Sequence, residues 1–236
     1  MQLSSVIIID IGEVPEWSNG AVSKIAVGLQ PTGGSNPSLA VKGLIMSYLT
    51  RELKPYFEKG LAPLIDTIAK LKVHPNLLTV LGLVFVCVGS YLLFLESYLL
   101  SFFFLLIGAL CDALDGAVAR KGKYDSSFGA FIDSLTDRFS DAMPLMAIAV
   151  SSEDSLLTFL SIMAIVLSFG VSYARARAEG LGYELKVGLF ERAERWIVLL
   201  IGILFEEIFL AIVLLVIGSS ITLLQRVYTF MEISRR

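Results

Sequence analysis

Six apolar stretches, each close to the length of a membrane-spanning helix, dominate this 236-residue sequence after residue 76. A spanning helix needs about 20 mostly apolar residues. The stretches cover residues 77–95, 99–119, 128–150, 156–178, 191–205 and 208–227. We therefore predict an all-α, polytopic protein whose six-helix membrane domain covers residues 73–230, with a cytoplasmic tail at 231–236. The composition agrees, since 17% of the residues are charged against about 25% in soluble domains.

The charges between the stretches predict the orientation. Lys and Arg gather before the first stretch, between the second and third, between the fourth and fifth, and after the sixth. The other connections hold only acidic charges: Glu96, then Glu153 with Asp154, then Glu206 with Glu207. Because basic connections stay in the cytoplasm, we expect both termini there and a location in the cell membrane. The net charge of −3 excludes a basic nucleic-acid-binding protein, so no nucleic-acid partner is expected.

Two segments of different character precede the membrane domain. In residues 46–72, apolar side chains recur every three or four positions, which predicts a juxtamembrane amphipathic helix on the cytoplasmic interface. Residues 1–45 are rich in Gly, Ser, Pro and Asn and show no periodicity. We expect either a disordered tail or a mis-assigned start, with Met46 as the true first residue. The second option rests on residues 12–39, which resemble a translated tRNA gene.

Four aspartates mark the cytoplasmic ends of the second and third stretches. Asp112 and Asp115 are three positions apart, and Asp133 and Asp137 are four apart, so each pair shares a helix face. A short connection between two antiparallel helices would bring the pairs together. Carboxylates beside hydrocarbon are costly unless a cation offsets their charge. Oxygen ligands without Cys or His favour a hard ion such as Mg²⁺, Mn²⁺ or Ca²⁺, and two such ions can clamp a transferring phosphoryl group.

These aspartates belong to a longer pattern with fixed spacing. The pattern resembles the signature of the CDP-alcohol phosphotransferase family at all eight of its fixed positions: Asp112-x2-Asp115-Gly116-x2-Ala119-Arg120-x8-Gly129-x3-Asp133-x3-Asp137. The resemblance extends over roughly residues 71–230. It includes Asn76 and Thr79, just before and within the first apolar stretch, which look like the family's nucleotide-side segment.

The resemblance implies an activity and a set of roles. Members of the family transfer a substituted phosphate from a CDP-linked lipid to an alcohol and release CMP. Asp112, Asp115, Asp133 and Asp137 would bind Mg²⁺ or Mn²⁺, with two ions expected, and Asp137 would also be the general base. The site for CMP and the CDP-lipid would comprise Asn76, Thr79, Asp112, Asp115, Gly116, Ala119, Arg120 and Gly129. The resemblance also implies a homodimer, and the charge pattern places the active site toward the cytoplasm.

Four arginines on the same side as the aspartates predict the kind of acceptor. Arg175 and Arg177 end the fourth stretch, and Arg192 and Arg195 begin the fifth. Arginines placed together suit a phosphate group, so we expect a small phosphorylated polyol as the acceptor. These stretches resemble the branch of the family that uses inositol 1-phosphate, with CDP-diacylglycerol or CDP-archaeol as the lipid donor.

Two alternatives remain at this point. Glycerol 3-phosphate as the acceptor would need the same anion site and the same chemistry. An intramembrane ion transporter would also need carboxylates within its helices. Transporters place such charges near the membrane midplane, often in two repeated halves. The four aspartates lie toward one side instead and the sequence shows no internal repeat, which favours the enzyme.

Overall fold

The structure, a computed structural model, describes residues 60–63, 65–68, 74–122 and 126–235. Its helices are α1 (Pro75–Phe94), α2 (Tyr98–Gly122), α3 (Ser127–Ser151), α4 (Ser155–Gly180), α5 (Arg192–Leu204) and α6 (Ile208–Ser234). Within these residues there is no β-strand, which confirms the all-α prediction. The expected tail at 1–45, Met46 and most of the expected amphipathic helix at 46–72 lie outside the described residues.

Four of the six predicted spans are confirmed by length and composition. Helices α1, α2, α4 and α6 are long and apolar enough to cross a membrane. Helix α5 has 13 residues, about 20 Å of helix against a hydrocarbon core of about 30 Å. Helix α3 has 25 residues, but it carries four charged residues between positions 133 and 141, namely Asp133, Asp137, Arg138 and Asp141. That α3 and α5 cross the membrane stays a prediction, and so does the orientation of the termini. The tail at 231–236 also stays a prediction, and α6 continues through most of it, to Ser234.

Short turns pair the helices into three hairpins. The connections 95–97, 152–154 and 205–207 join α1 to α2, α3 to α4, and α5 to α6. Glu96 and Glu206 adopt the left-handed conformation, with φ of 59° and 61°, just after the ends of α1 and α5. A residue in this conformation ends a helix and turns the chain sharply. The first and third hairpins therefore turn at a glutamate, and the turn of the second hairpin, at 152–154, is also acidic.

The hairpins pack around one apolar core. Helix α1 lies against α2 and α3, α4 lies against α6, and α5 lies against α2. Every hairpin contributes to the core, whose buried side chains include Val86, Leu93, Leu105, Leu145, Trp196, Ile203 and Ile212. The close contact between α1 and α2 occurs at Gly108, where a Cβ atom would lie 3.0 Å from the carbonyl oxygen of Gly82 and 2.6 Å from Val86 Cγ2. This contact lies one helical turn below Asp112.

Helical residues 60–63 and 65–68 pack beside the last turns of α2. Ile65 is buried with Leu114 and Val118 in a small apolar cluster. Asp66 forms an ion pair with Lys121 at the end of α2. These contacts agree with the apolar periodicity of the segment, although they cover only part of the helix that we predicted at 46–72.

The connection between α4 and α5 is held by side chains of α6. Gln225 Oε1 accepts a hydrogen bond from the amide of Leu189 at 3.0 Å, and Thr222 Oγ1 accepts one from the amide of Phe190 at 2.9 Å. Arg226, also on α6 and only 3% exposed, donates from Nε to the carbonyl oxygen of Val187 at 2.9 Å. The carbonyl oxygen satisfies this guanidinium, because a buried charge without a hydrogen-bond partner is costly. The start of α5 is therefore fixed relative to α6.

Candidate active site

Three of the predicted aspartates meet in space. Asp112 lies in the second half of α2, and Asp133 and Asp137 lie in the first half of α3. One carboxylate oxygen from each of the three lies within 4.8 Å of the others. Such an arrangement of oxygens, with no sulfur or imidazole, is the donor set that Mg²⁺ and Mn²⁺ prefer. These three residues therefore fit a divalent cation.

Asp115 occupies a different position from the other three. Its Oδ2 accepts a hydrogen bond from Thr79 Oγ1 at 2.6 Å, and both residues are buried, at 4% and 6% exposure. This bond joins α2 to α1 one turn away from Asp112. Asp115 is outside the group of three whose oxygens lie together, so its binding of metal stays a prediction.

The residues that we predict for CMP lie around the starts of α1 and α3 and along α2. At the start of α3, Ser126 Oγ accepts a hydrogen bond from the amide of Gly129 at 3.0 Å. A Cβ atom on Gly129 would lie 2.9 Å from that oxygen and 3.4 Å from Asn76 Oδ1. Glycine thus allows the first turns of α1 and α3 to approach each other. On α2, a Cβ atom at Gly116 would lie 3.4 Å from Arg120 Nη1, and half-buried Ala119 precedes this arginine.

Arg192, the first residue of α5, reaches the aspartate cluster. Its Nη1 lies 2.6 Å from Asp112 Oδ2 and 2.7 Å from Asp137 Oδ1. Its Nε donates to Asp141 Oδ1 at 3.0 Å. One guanidinium therefore contacts carboxylates from α2 and from two successive turns of α3.

The other predicted arginines lie further from the three aspartates. Arg195 Nη2 donates to Asp141 Oδ2 at 2.8 Å, and the Arg195 side chain is 6% exposed. Arg175 Nε donates to Glu179 Oε1 at 2.9 Å within α4, and Arg177 is exposed near the end of the same helix. The structure joins Arg192 to the aspartates directly and Arg195 through Asp141. Binding of an acceptor phosphate by all four arginines stays a prediction.

Two residues of this site were missed by the sequence analysis, namely Asp141 and Trp196. Trp196 Nε1 donates to Asp141 Oδ1 at 2.8 Å. Asp141 continues the four-residue spacing of Asp133 and Asp137, so its place on the same helix face could have been read from the sequence. Trp196 carries no such signal, because its role depends on how α5 packs against α3.

The family model described as CDP-alcohol phosphatidyltransferase matches residues 72–228. The chain belongs to this family. Among relatives of the CDP-alcohol phosphatidyltransferase family is the archaetidylinositol phosphate synthase of Pyrococcus horikoshii. It is 39% identical over 179 residues, which cover 75% of this chain and 94% of the relative. The protein is accordingly an enzyme, a CDP-alcohol phosphotransferase of phospholipid synthesis with helices that cross the membrane.

Solved structures of a bacterial member of the family resemble this fold. The phosphatidylinositol phosphate synthase of Mycobacterium tuberculosis with CDP-diacylglycerol bound is 27% identical, with a TM-score of 0.65, over 71% of this chain and 92% of that chain. The same synthase in complex with manganese and citrate is 29% identical, with a TM-score of 0.65, over 72% of this chain and 88% of that chain.

Proposed function

We propose that this phosphotransferase transfers the lipid phosphate group of a CDP-lipid to inositol 1-phosphate and releases CMP. The observation that carries the proposal is the position of Arg192, whose Nη1 lies 2.6 Å from Asp112 Oδ2 at the aspartate cluster. A guanidinium suits phosphate, because it offers several N–H donors in one plane. An acceptor phosphate bound by Arg192 would have its hydroxyl beside the reacting centre. The names of the relatives from Pyrococcus horikoshii and Mycobacterium tuberculosis support inositol phosphate chemistry.

The donor would be CDP-diacylglycerol or CDP-archaeol. The first is bound in the structure of the mycobacterial synthase, and the name of the Pyrococcus horikoshii relative refers to an archaeol lipid. Both lipids share the cytidine diphosphate group, which we expect at the starts of α1 and α3 and along α2. Its binding residues would be Asn76, Thr79, Asp112, Asp115, Gly116, Ala119, Arg120 and Gly129.

Divalent cations would be held by the aspartates. We assign Asp112, Asp115, Asp133 and Asp137 to Mg²⁺ or Mn²⁺, with two ions expected. The complex of the mycobacterial synthase with manganese and the grouped oxygens of three of these aspartates support the assignment. Bound ions would neutralise the diphosphate and favour departure of CMP.

The transfer itself requires one proton acceptor. Asp137 would take the proton from the acceptor hydroxyl as that oxygen forms a bond to the lipid-bearing phosphorus. The bond from this phosphorus to the bridging oxygen breaks, and its electron pair leaves with CMP. Arg192 and Arg195, with Arg175 and Arg177, would hold the acceptor phosphate. The reaction would occur on the cytoplasmic face of the cell membrane, in a homodimer.

Release of CMP by the purified protein tests the proposal. CDP-archaeol and CDP-diacylglycerol are each combined with inositol 1-phosphate, glycerol 3-phosphate or serine, in detergent with Mg²⁺. We expect release with inositol 1-phosphate and none with serine, which has no phosphate for the arginines. Glu153→Gln, a charge change at the acidic turn after α3, is the matched control and should behave as the wild type. Release only with glycerol 3-phosphate would contradict inositol 1-phosphate as the acceptor, whereas the proposed transfer reaction would still hold.

A further inference from the structure

Asp141 lies on α3 one turn after Asp137 and outside the eight positions of the family pattern. Its side chain is only 9% exposed. Both of its oxygens are used: Oδ1 accepts from Arg192 Nε at 3.0 Å and from Trp196 Nε1 at 2.8 Å, and Oδ2 accepts from Arg195 Nη2 at 2.8 Å. All of these donors come from the first turns of α5. One buried carboxylate therefore organises the face of α5 that meets the aspartate cluster.

Different nitrogens of the Arg192 guanidinium contact Asp141 and the aspartate cluster. Its Nε is held by Asp141, while its Nη1 lies 2.6 Å from Asp112 Oδ2 and 2.7 Å from Asp137 Oδ1. Asp112 and Asp137 are also two of the three residues that fit a cation. The positive charge of Arg192 thus competes with a cation for these oxygens. The negative charge of Asp141 attracts the same guanidinium, so it offsets part of the attraction of Arg192 to Asp112 and Asp137 and weakens that competition.

We infer that Asp141 is a positioning residue, which holds Arg192 and Arg195 for the phosphorylated acceptor and limits how strongly the charge of Arg192 competes with a cation for Asp112 and Asp137. The acceptor part of this inference rests on the proposed function. Asp141 touches neither the reacting atoms nor the substrate in this assignment, and acts through the two arginines. Residues that orient the partners of a metal site in this way commonly change its affinity by about 10–100-fold when they are replaced.

A titration with Mn²⁺, followed by electron paramagnetic resonance, tests the inference without turnover. The wild type is compared with Asp141→Asn, Arg192→Gln and the double variant. We expect Asp141→Asn to weaken Mn²⁺ binding by about tenfold and to have no further effect when Arg192 is already glutamine. An equal weakening in both backgrounds would show simple loss of negative charge and would overturn the inference. Unchanged binding in the single variant would overturn it as well.

Kinetics with inositol 1-phosphate provide the second measurement. We expect Asp141→Asn to raise the KM for the acceptor by about tenfold and the KM for the CDP-lipid by less than about twofold. Asp141→Glu, which keeps the charge, should recover part of the difference. Equal changes in both KM values, or a fall in melting temperature alone, would mean that Asp141 only stabilises the contact between α3 and α5. Either result would overturn the inference.

A milder variant keeps the test valid if Asp141→Asn does not fold. Trp196→Phe removes one hydrogen bond to Asp141 and retains an aromatic ring in the core, so a smaller shift in the same direction is expected; no shift would count against the inference. Glu153→Gln is the control for removal of a carboxylate elsewhere. If the wild type does not use inositol 1-phosphate, the proposed function fails and the Mn²⁺ cycle alone decides the role of Asp141.

Discussion

At the residue scale, the proposed general base is Asp137. It belongs to the aspartate cluster, its side chain is 22% exposed, and its Oδ1 lies 2.7 Å from Arg192 Nη1. An asparagine at this position would keep the shape of the side chain and lose the ability to accept a proton. The contact with Arg192 would also weaken, since the amide carries no charge.

We expect Asp137→Asn to reduce the rate of CMP release by at least about 10²-fold, since positioned bases contribute about 10²–10⁴-fold. Binding of CMP, measured by calorimetry, should change much less. The variant should elute as the wild type does in size-exclusion chromatography, which separates loss of chemistry from loss of fold. A turnover near that of the wild type would remove Asp137 from the proposed role.

The hydrogen bond between Thr79 and Asp115 offers a second prediction at this scale. Both residues are buried, and the oxygens are 2.6 Å apart. Thr79→Val keeps the volume and leaves Asp115 without this donor, which costs about 1–3 kcal/mol. We expect that cost to appear in the free energy of unfolding. We also expect CMP to bind about tenfold more weakly in the presence of Mg²⁺, because Asp115, which we propose as a metal ligand, loses the partner that orients it. Thr79→Ser, the matched control, keeps the hydroxyl and should bind CMP as the wild type does.

At the scale of the helices, two glycines should respond oppositely to the same substitution. At Gly108 on α2, a Cβ atom would lie 2.6 Å from Val86 Cγ2 and 3.0 Å from the carbonyl oxygen of Gly82. At Gly170 on α4, the nearest atoms are Cδ atoms of Leu223 at 3.5 and 3.8 Å. The first site has no space for a methyl group, whereas the second has an ordinary van der Waals contact.

We therefore expect Gly108→Ala to destabilise the protein by about 1–3 kcal/mol, because α1 and α2 must separate. Gly170→Ala should be neutral or stabilising by up to about 1 kcal/mol, because alanine favours the helix. Melting temperatures in the same detergent compare the two variants. An equal fall in the melting temperatures of both variants would contradict the prediction that the close contact at Gly108 causes the loss of stability.

The sequence predicts some of these helices and contacts better than others. Apolar length alone located α1, α2, α4 and α6, since a long and mostly apolar stretch has few alternatives. Helix α3 follows that rule less well, because its first half carries Asp133 and Asp137 of the aspartate cluster. The meeting of Asp112 with Asp133 and Asp137 could be predicted because helical spacing and one short connection determine it. The contact of Arg192 with Asp141 could not, since 51 positions separate them and only the packing of α5 joins them.

At the scale of the whole molecule, the charge pattern of the connections predicts which end faces the cytoplasm. The three short turns are acidic, and the ends of the helices that bear the arginines and aspartates lie away from them. Basic connections remain on the cytoplasmic side. The active site and the end of α6 would then share that side.

Labelling of single cysteines tests this orientation. Glu153→Cys and Arg235→Cys are made in a chain whose Cys87 and Cys111 are replaced by alanine, and intact cells are treated with a membrane-impermeant maleimide. We expect Cys at position 153 to react in intact cells and Cys at position 235 to react only after the membrane is opened. The reverse pattern would contradict the predicted orientation. Activity of each variant shows that the fold is intact.

The three hairpins also bear on how the enzyme is made. Asp112 lies on the hairpin of α1 and α2, Asp133 and Asp137 on the hairpin of α3 and α4, and Arg192 on the hairpin of α5 and α6, so they are synthesised in this order. A nascent chain that stops after the second hairpin would possess the grouped carboxylates without the guanidinium that contacts them. Under the proposed role of Arg192, catalytic competence would require the hairpin of α5 and α6, and a product that stops after α4 would remain inert toward the lipids around it.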